Sequence, residues 1–214
     1  MVEPLVIAVL GAESTGKSTL ATRLCAQLQG EGHRVAHVDE YLREFCTERA
    51  RTPQVHEQAA IAAEQTRRIR AAAVDHDIVI ADTTALMIAV YSDWVFADRS
   101  LYASALAAHR GRTLTLVTAL DLPWQSDGLQ RDGEHVREPI DGLLRAALRQ
   151  GGIAYSVIAG QGADRLAAAR AAMAPALRPR PGSPIEPLRR WRHVCERCGD
   201  AACEQHLLSR DPNG

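Results

Sequence analysis

Lysine is all but absent from this chain of 214 residues. Lys17 is the only one, and arginine supplies the other 24 of the 25 basic residues. Arginine has taken over wherever the two can be exchanged. The position that keeps a compact ammonium on a flexible stem is one a planar guanidinium cannot fill. Long apolar runs are missing too: none approaches the roughly 20 residues that cross a bilayer, so no membrane span is expected. The net charge is close to zero, at −1, which gives no overall electrostatic reason to expect nucleic acid as a partner. The first ten residues lack a basic leader and a cleavage site and read as a strand, so a cytoplasmic location is expected. In that compartment five cysteines argue against a disulfide framework. Cys25 and Cys46 fall on helical segments and read as small buried apolar residues. A length of 214 residues accommodates one good-sized domain and a short appendage.

What is present is an alternation of short apolar runs with longer helical stretches, the pattern of an α/β fold with a mainly parallel sheet. Strands are expected at residues 5–10, 35–38, 78–81, 114–120 and 154–158. Helices are expected at 17–29, 40–51, 53–74, 140–150 and 164–173, with two shorter ones within 85–109 and a polar loop over 123–138. Half of the ten prolines gather between Pro175 and Pro187 among Arg178, Arg180 and Gly182, an extended linker in composition. The expected organisation is therefore a domain over 1–174, a linker over 175–190 and a tail over 191–214.

The lone lysine sits inside Gly11-Ala12-Glu13-Ser14-Thr15-Gly16-Lys17-Ser18, between a buried strand and the start of a helix. That is a complete phosphate-loop pattern in its required context. The glycines let successive backbone N–H groups turn toward phosphate oxygens, and the new helix adds the positive end of its dipole. Lys17 is placed to reach the β- and γ-phosphates of ATP, the Ser18 hydroxyl to bind Mg²⁺, and Thr19 to add a phosphate contact.

In an open parallel sheet ligands gather beyond the carboxyl ends of the strands. Asp82 closes the third strand, where a carboxylate holding Mg²⁺ or its waters belongs, although a helix N-cap is equally good local chemistry. Asp39 and Glu40 follow the second strand and are candidates to orient an attacking hydroxyl, with Tyr41 and Arg43 next to them facing an acceptor. The loop after the fourth strand, with Asp127, is long for a connection and reads as a lid. Arg131 and Arg137 are its candidates to offset charge on a transferring phosphoryl group. Tyr91 and Trp94, three apart on a helix, are either a stacking pair for a flat heterocycle or core aromatics.

These residues resemble the ribosylnicotinamide kinase domain of the bacterial NadR family over about residues 5–173. The anchors are the loop at 11–18, Glu40-Tyr41-Leu42-Arg43-Glu44, Ile80-Ala81-Asp82-Thr83, and Trp124 through Asp127-Gly128-Leu129. The resemblance implies a three-layer P-loop NTPase fold whose five-stranded sheet runs in the order 2-3-1-4-5. It implies that ATP binds the loop, that a riboside hydroxyl attacks the γ-phosphate, and that nicotinamide mononucleotide is made in a salvage route to NAD. This sequence departs from the family at Asp39, where a tryptophan is common, and at Gln130, where an arginine follows Asp-Gly-Leu. No counterpart of the adenylyltransferase domain that precedes the kinase in full-length members is expected within these 214 residues. Two other readings stand beside this one: a kinase for another nucleoside or nucleotide, and a regulatory ATP-binding module that hydrolyses ATP slowly.

The tail carries Cys195, Cys198, Cys203 and His206 in a short span. Such a set suits tetrahedral Zn²⁺, and a disordered tail with exposed thiols is the alternative.

Overall fold

In a computed structural model that describes residues 4–110, 113–125 and 133–178, strand β1 (Leu5–Leu10) sends alternate side chains to opposite faces of a sheet. Ile7 and Val9 enter one core and Ala8 and Leu10 the other. A strand buried on both faces needs helices on both, and the sequence provides them. Helices α1 (Lys17–Gly30) and α7 (Gly162–Leu177) cover one face through Leu20, Leu24, Leu28 and Met173. The other is covered by α2 (Tyr41–Arg49), α3 (Gln58–Asp75), α4 (Ala85–Phe96), α5 (Tyr102–His109) and α6 (Arg137–Gln150).

The sheet comprises β1, β2 (Val35–Val38), β3 (Ile78–Asp82), β4 (Thr113–Thr118) and β5 (Tyr155–Ile158), in the order β2-β3-β1-β4-β5. Every pairing is parallel. The α/β class, the three layers and the strand order are those expected. β1 and β3 lie side by side, so the loop after β1 and the carboxylate ending β3 emerge at the same edge.

Element boundaries differ where side chains override local signals. Pro53 does not start α3. Gln54 and Glu57 form a reciprocal cap around a 3-10 turn (Val55–Glu57), and Arg51 grips Glu57 with two bonds of 2.7 Å, which delays the helix to Gln58. A second 3-10 turn (Glu134–Val136) leads into α6 three residues earlier than expected, driven by burial of Val136. α7 carries Pro175 in its last turn and runs on to Leu177, because Ala176 and Leu177 pack against the core. The chain divides after Leu177 into two units. Of the second, Arg178–Gly214, all beyond Arg178 lies outside the described residues, including Cys195, Cys198, Cys203 and His206. Among the described residues no helix is long and apolar enough to cross a membrane.

Candidate nucleotide and acceptor site

The turn after β1 is built on backbone conformations that few residues adopt. Gly11 (φ 145°) and Gly16 (φ 76°) lie in positive-φ territory, and Ser14 joins them at φ 54°. A Cβ on Gly11 would land on the Thr118 hydroxyl, so that glycine is required by space as well as by conformation. Thr15 Oγ1 donates to Ala12 O at 2.7 Å and meets Thr118 Oγ1 at 2.6 Å, fastening the turn to the end of β4. Lys17 Nζ donates to Ala12 O at 2.8 Å, which holds the ammonium over the turn. Ser18 and Thr19 follow in the first turn of α1.

Glu13 occupies the loop differently from its neighbours. Its Oε1 accepts from the Trp124 indole at 3.1 Å and from the Gly133 amide at 3.2 Å, while Ser14 Oγ accepts from the Gln125 amide at 2.7 Å. The carboxylate thus ties down both sides of the segment after β4, and any phosphate contact at this position falls to its backbone. Residues 126–132, with Asp127 and Arg131, lie outside the described residues.

Asp82 is 2% exposed at the end of β3. Burial pushes its carboxyl above the ordinary carboxylate range. The Ser18 hydroxyl works against that push, the Glu40 charge adds to it, and Lys17 and Arg43 oppose it. Its Oδ1 has no hydrogen-bond partner. A buried, orphaned carboxylate oxygen beside a serine hydroxyl at the mouth of a phosphate loop fits a divalent cation that draws its other ligands from phosphate and water. Thr83, next along, has φ 80° although β-branched, and its buried hydroxyl is also without a partner. Strain of that kind persists only where the surroundings enforce it.

The enforcing residue is Gln65 on α3, fully buried. Its Nε2 donates to Asp39 O at 3.2 Å and Thr83 O at 3.3 Å, and its Oε1 accepts from Tyr41 N at 2.8 Å. One amide therefore locks the ends of β2 and β3 together.

Beside the phosphate loop lies a cavity of about 590 Å³ bounded by Lys17, Glu13, Glu40, Arg43 and Tyr91. Its outer walls are Leu42, Pro53, Val55, Val95 and Phe96. Glu40 accepts from Arg43 Nε at 2.9 Å at its rim. Arg51 also faces it, engaged bidentately by Glu57. Cys46 lines it as a neutral thiol, since burial and then the Glu40 charge push its pKa up.

Several expected site residues stand elsewhere. The Asp39 carboxylate is 86% exposed, 3.5 Å from His37 Nδ1, and does not line the cavity. The adjacent Glu40 does because it caps α2 with the chain already turning inward. Tyr41 is covered by the Arg68 guanidinium, 4.3 Å from its ring centre, and packs on the core. Trp94 is 40% exposed and off the cavity wall; Tyr91 with Val95 and Phe96 takes that place. Arg137 opens α6 at 5% exposure, with Nε and Nη2 lacking any partner. A buried guanidinium in that state calls for an anion.

The fold and this loop define a P-loop nucleotide-binding domain of the kinase-like kind. The chain belongs to the AAA_28 family of AAA domains, whose family model matches residues 6–165. Among solved structures it is similar to NadR protein in complex with NR, at 22% identity and a TM-score of 0.67, over 87% of this chain and 53% of that one. It is likewise similar to NadR protein in complex with NAD and AMP-PNP, at 20% identity and a TM-score of 0.61, over 80% and 49%. Thymidylate kinase from Ehrlichia chaffeensis follows at 14% identity and a TM-score of 0.55, over 75% and 89%. The chain thus spans about half the length of the NadR chains it matches. No curated protein matches it in sequence.

Proposed function

We propose that the protein transfers the γ-phosphoryl group of ATP, with Mg²⁺, to a hydroxyl of a small acceptor that carries no phosphate, nicotinamide riboside before others. The observation that carries this is the cavity running from Lys17 past Glu40, in which both arginines are already matched by carboxylates. A nucleoside monophosphate would need a cation there, whereas Glu13 and Glu40 favour hydroxyl donors or positive charge. The fold likeness to NadR in complex with NR supports a riboside. Tyr91 and Phe96 offer the flat surfaces that Asp39 does not. The product would then be nicotinamide mononucleotide, on a route to NAD.

In this mechanism the loop amides, Lys17 and the start of α1 hold the β- and γ-phosphates. Mg²⁺ would sit on Ser18 and Asp82 and supply neutralisation of phosphate charge. Glu40 accepts a hydrogen bond from the acceptor hydroxyl and aims its oxygen in line with the γ-phosphorus. The new O–P bond forms as the bond to the β-phosphate oxygen breaks, the hydroxyl proton passes to Glu40, and ADP leaves. Arg137 bears charge on the equatorial oxygens.

The test is ADP release from ATP and Mg²⁺ across a panel of nucleosides and nucleoside monophosphates. Stimulation by nucleosides alone is expected. Stimulation by monophosphates would instead mark a nucleotide kinase, and no stimulation by any acceptor a regulatory module.

A further inference from the structure

Arg165 is a buried cation that the phosphoryl-transfer mechanism leaves unused. It stands in the first turn of α7 at 4% exposure. Its Nε donates to Gly160 O at 2.8 Å, its Nη1 to Thr15 O and to Ile158 O, each at 3.2 Å, and its Nη2 to Asp121 Oδ1. Asp121 is held in turn by the Gly160 amide at 2.6 Å. One guanidinium therefore joins the phosphate loop, the end of β5 and the segment after β4.

The bond to Thr15 separates this residue from an ordinary helix anchor. Fastening α7 to β5 needs only the Ile158 and Gly160 carbonyls. Thr15 O belongs to the peptide that ends in the Gly16 N–H, and in a planar trans peptide the two groups point in opposite directions. Holding the oxygen down toward α7 turns the N–H up into the turn where phosphate binds. Gly16, at φ 76°, has no side chain to fix that plane, so the plane needs an outside hold. Burial works against the Asp121 carboxylate, yet the Gly160 amide and the arginine together keep it below its ordinary range and therefore charged.

We propose that Arg165 is a positioning residue for the phosphate cradle, acting through the Thr15 carbonyl to orient the Gly16 N–H, with Asp121 setting the guanidinium. This rests on the phosphate-binding reading of the loop and is independent of the acceptor.

The test is calorimetric titration of the full chain with inorganic tripolyphosphate and Mg²⁺, a probe that engages the cradle without a base or an acceptor. Arg165→Lys keeps the charge but cannot serve all four oxygens at once, and is expected to bind about tenfold more weakly, as expected for a lost charge-assisted bond. Asp121→Asn, which keeps the arginine and loosens its hold, is expected to weaken binding in the same direction and covers the case in which Arg165→Lys fails to fold. Amide hydrogen exchange at Gly16 is expected to speed up in both, a readout that a merely structural arginine would not move selectively. Tripolyphosphate affinity within twofold of the parent in the folded variants, whatever their melting temperatures, would overturn the proposal. A parent chain that does not bind tripolyphosphate would overturn the phosphate-loop reading, and this proposal with it.

Discussion

Trp124 donates its indole N–H to Glu13 Oε1 at 3.1 Å, joining the phosphate loop to the segment after β4 across 111 residues of chain. The Gly133 amide reaches the same oxygen, so one carboxylate secures both sides of that segment. Glu13→Ala removes both bonds and leaves two donors to find water. Hydrogen bonds to a charged group contribute about 1.5–3 kcal/mol each. The variant is expected to melt several degrees lower and to show a red-shifted tryptophan emission, with nucleotide affinity reduced. Unchanged fluorescence and melting would show that the clasp does not form in solution.

Asp82 carries a cost in the ligand-free protein. Its carboxyl is raised by burial, so the folded state holds a proton more tightly than the unfolded chain does. This group therefore favours folding below the unfolded pKa and loses that contribution as pH rises through the raised value. At neutral pH Asp82→Asn should therefore stabilise the ligand-free protein, by about 1 kcal/mol or roughly 2–4 °C, while Mg²⁺-dependent nucleotide binding collapses. Thermal melts with and without Mg²⁺ and nucleotide check both halves.

Arg137 presents the same situation with the opposite charge, a buried guanidinium with two orphaned nitrogens. Arg137→Met should leave the ligand-free fold as stable or more so, because an uncompensated buried charge is removed. Phosphoryl transfer should fall by about 100-fold, the scale for losing one preorganised donor to transition-state charge. The effect should appear in kcat rather than in the KM for ATP. A stability loss with normal kcat would assign Arg137 to the core instead.

The loop, the lysine and the alternation of strands and helices were legible because each is local: a spacing of glycines, a run of apolar residues, a stop signal. The strand order came with the family resemblance. Neighbours with opposite fates were not legible. Asp39 and Glu40 are adjacent and both acidic, and only the turn into α2 decides which one faces the cavity. Tyr91 and Trp94 share a helix, yet Tyr91 lines the cavity and Trp94 does not. Gln65 and Arg165 were invisible for another reason. A glutamine in an alanine-rich helix and an arginine near a helix start look like surface residues until the fold brings distant carbonyls to them.

His109 ties stability to pH. It is buried against Thr115 Oγ1 at 2.8 Å, and burial pushes its pKa down to about 4 from 6.5. The unfolded chain therefore takes up the proton first as pH falls. Stability is fully present above about 6.5 and is lost between there and about 4, by about 3 kcal/mol in total. His109→Gln should flatten that part of the profile, as read from urea midpoints against pH. An equally steep acid limb in the variant would place the effect in another group.

The central claim, transfer of a phosphoryl group from ATP on the Lys17 loop to a hydroxyl beside Glu40, is tested most directly by ³¹P NMR of the protein with ATP, Mg²⁺ and nicotinamide riboside. A phosphomonoester resonance should grow in step with ADP. Release of inorganic phosphate alone, or no change in ATP, would contradict it.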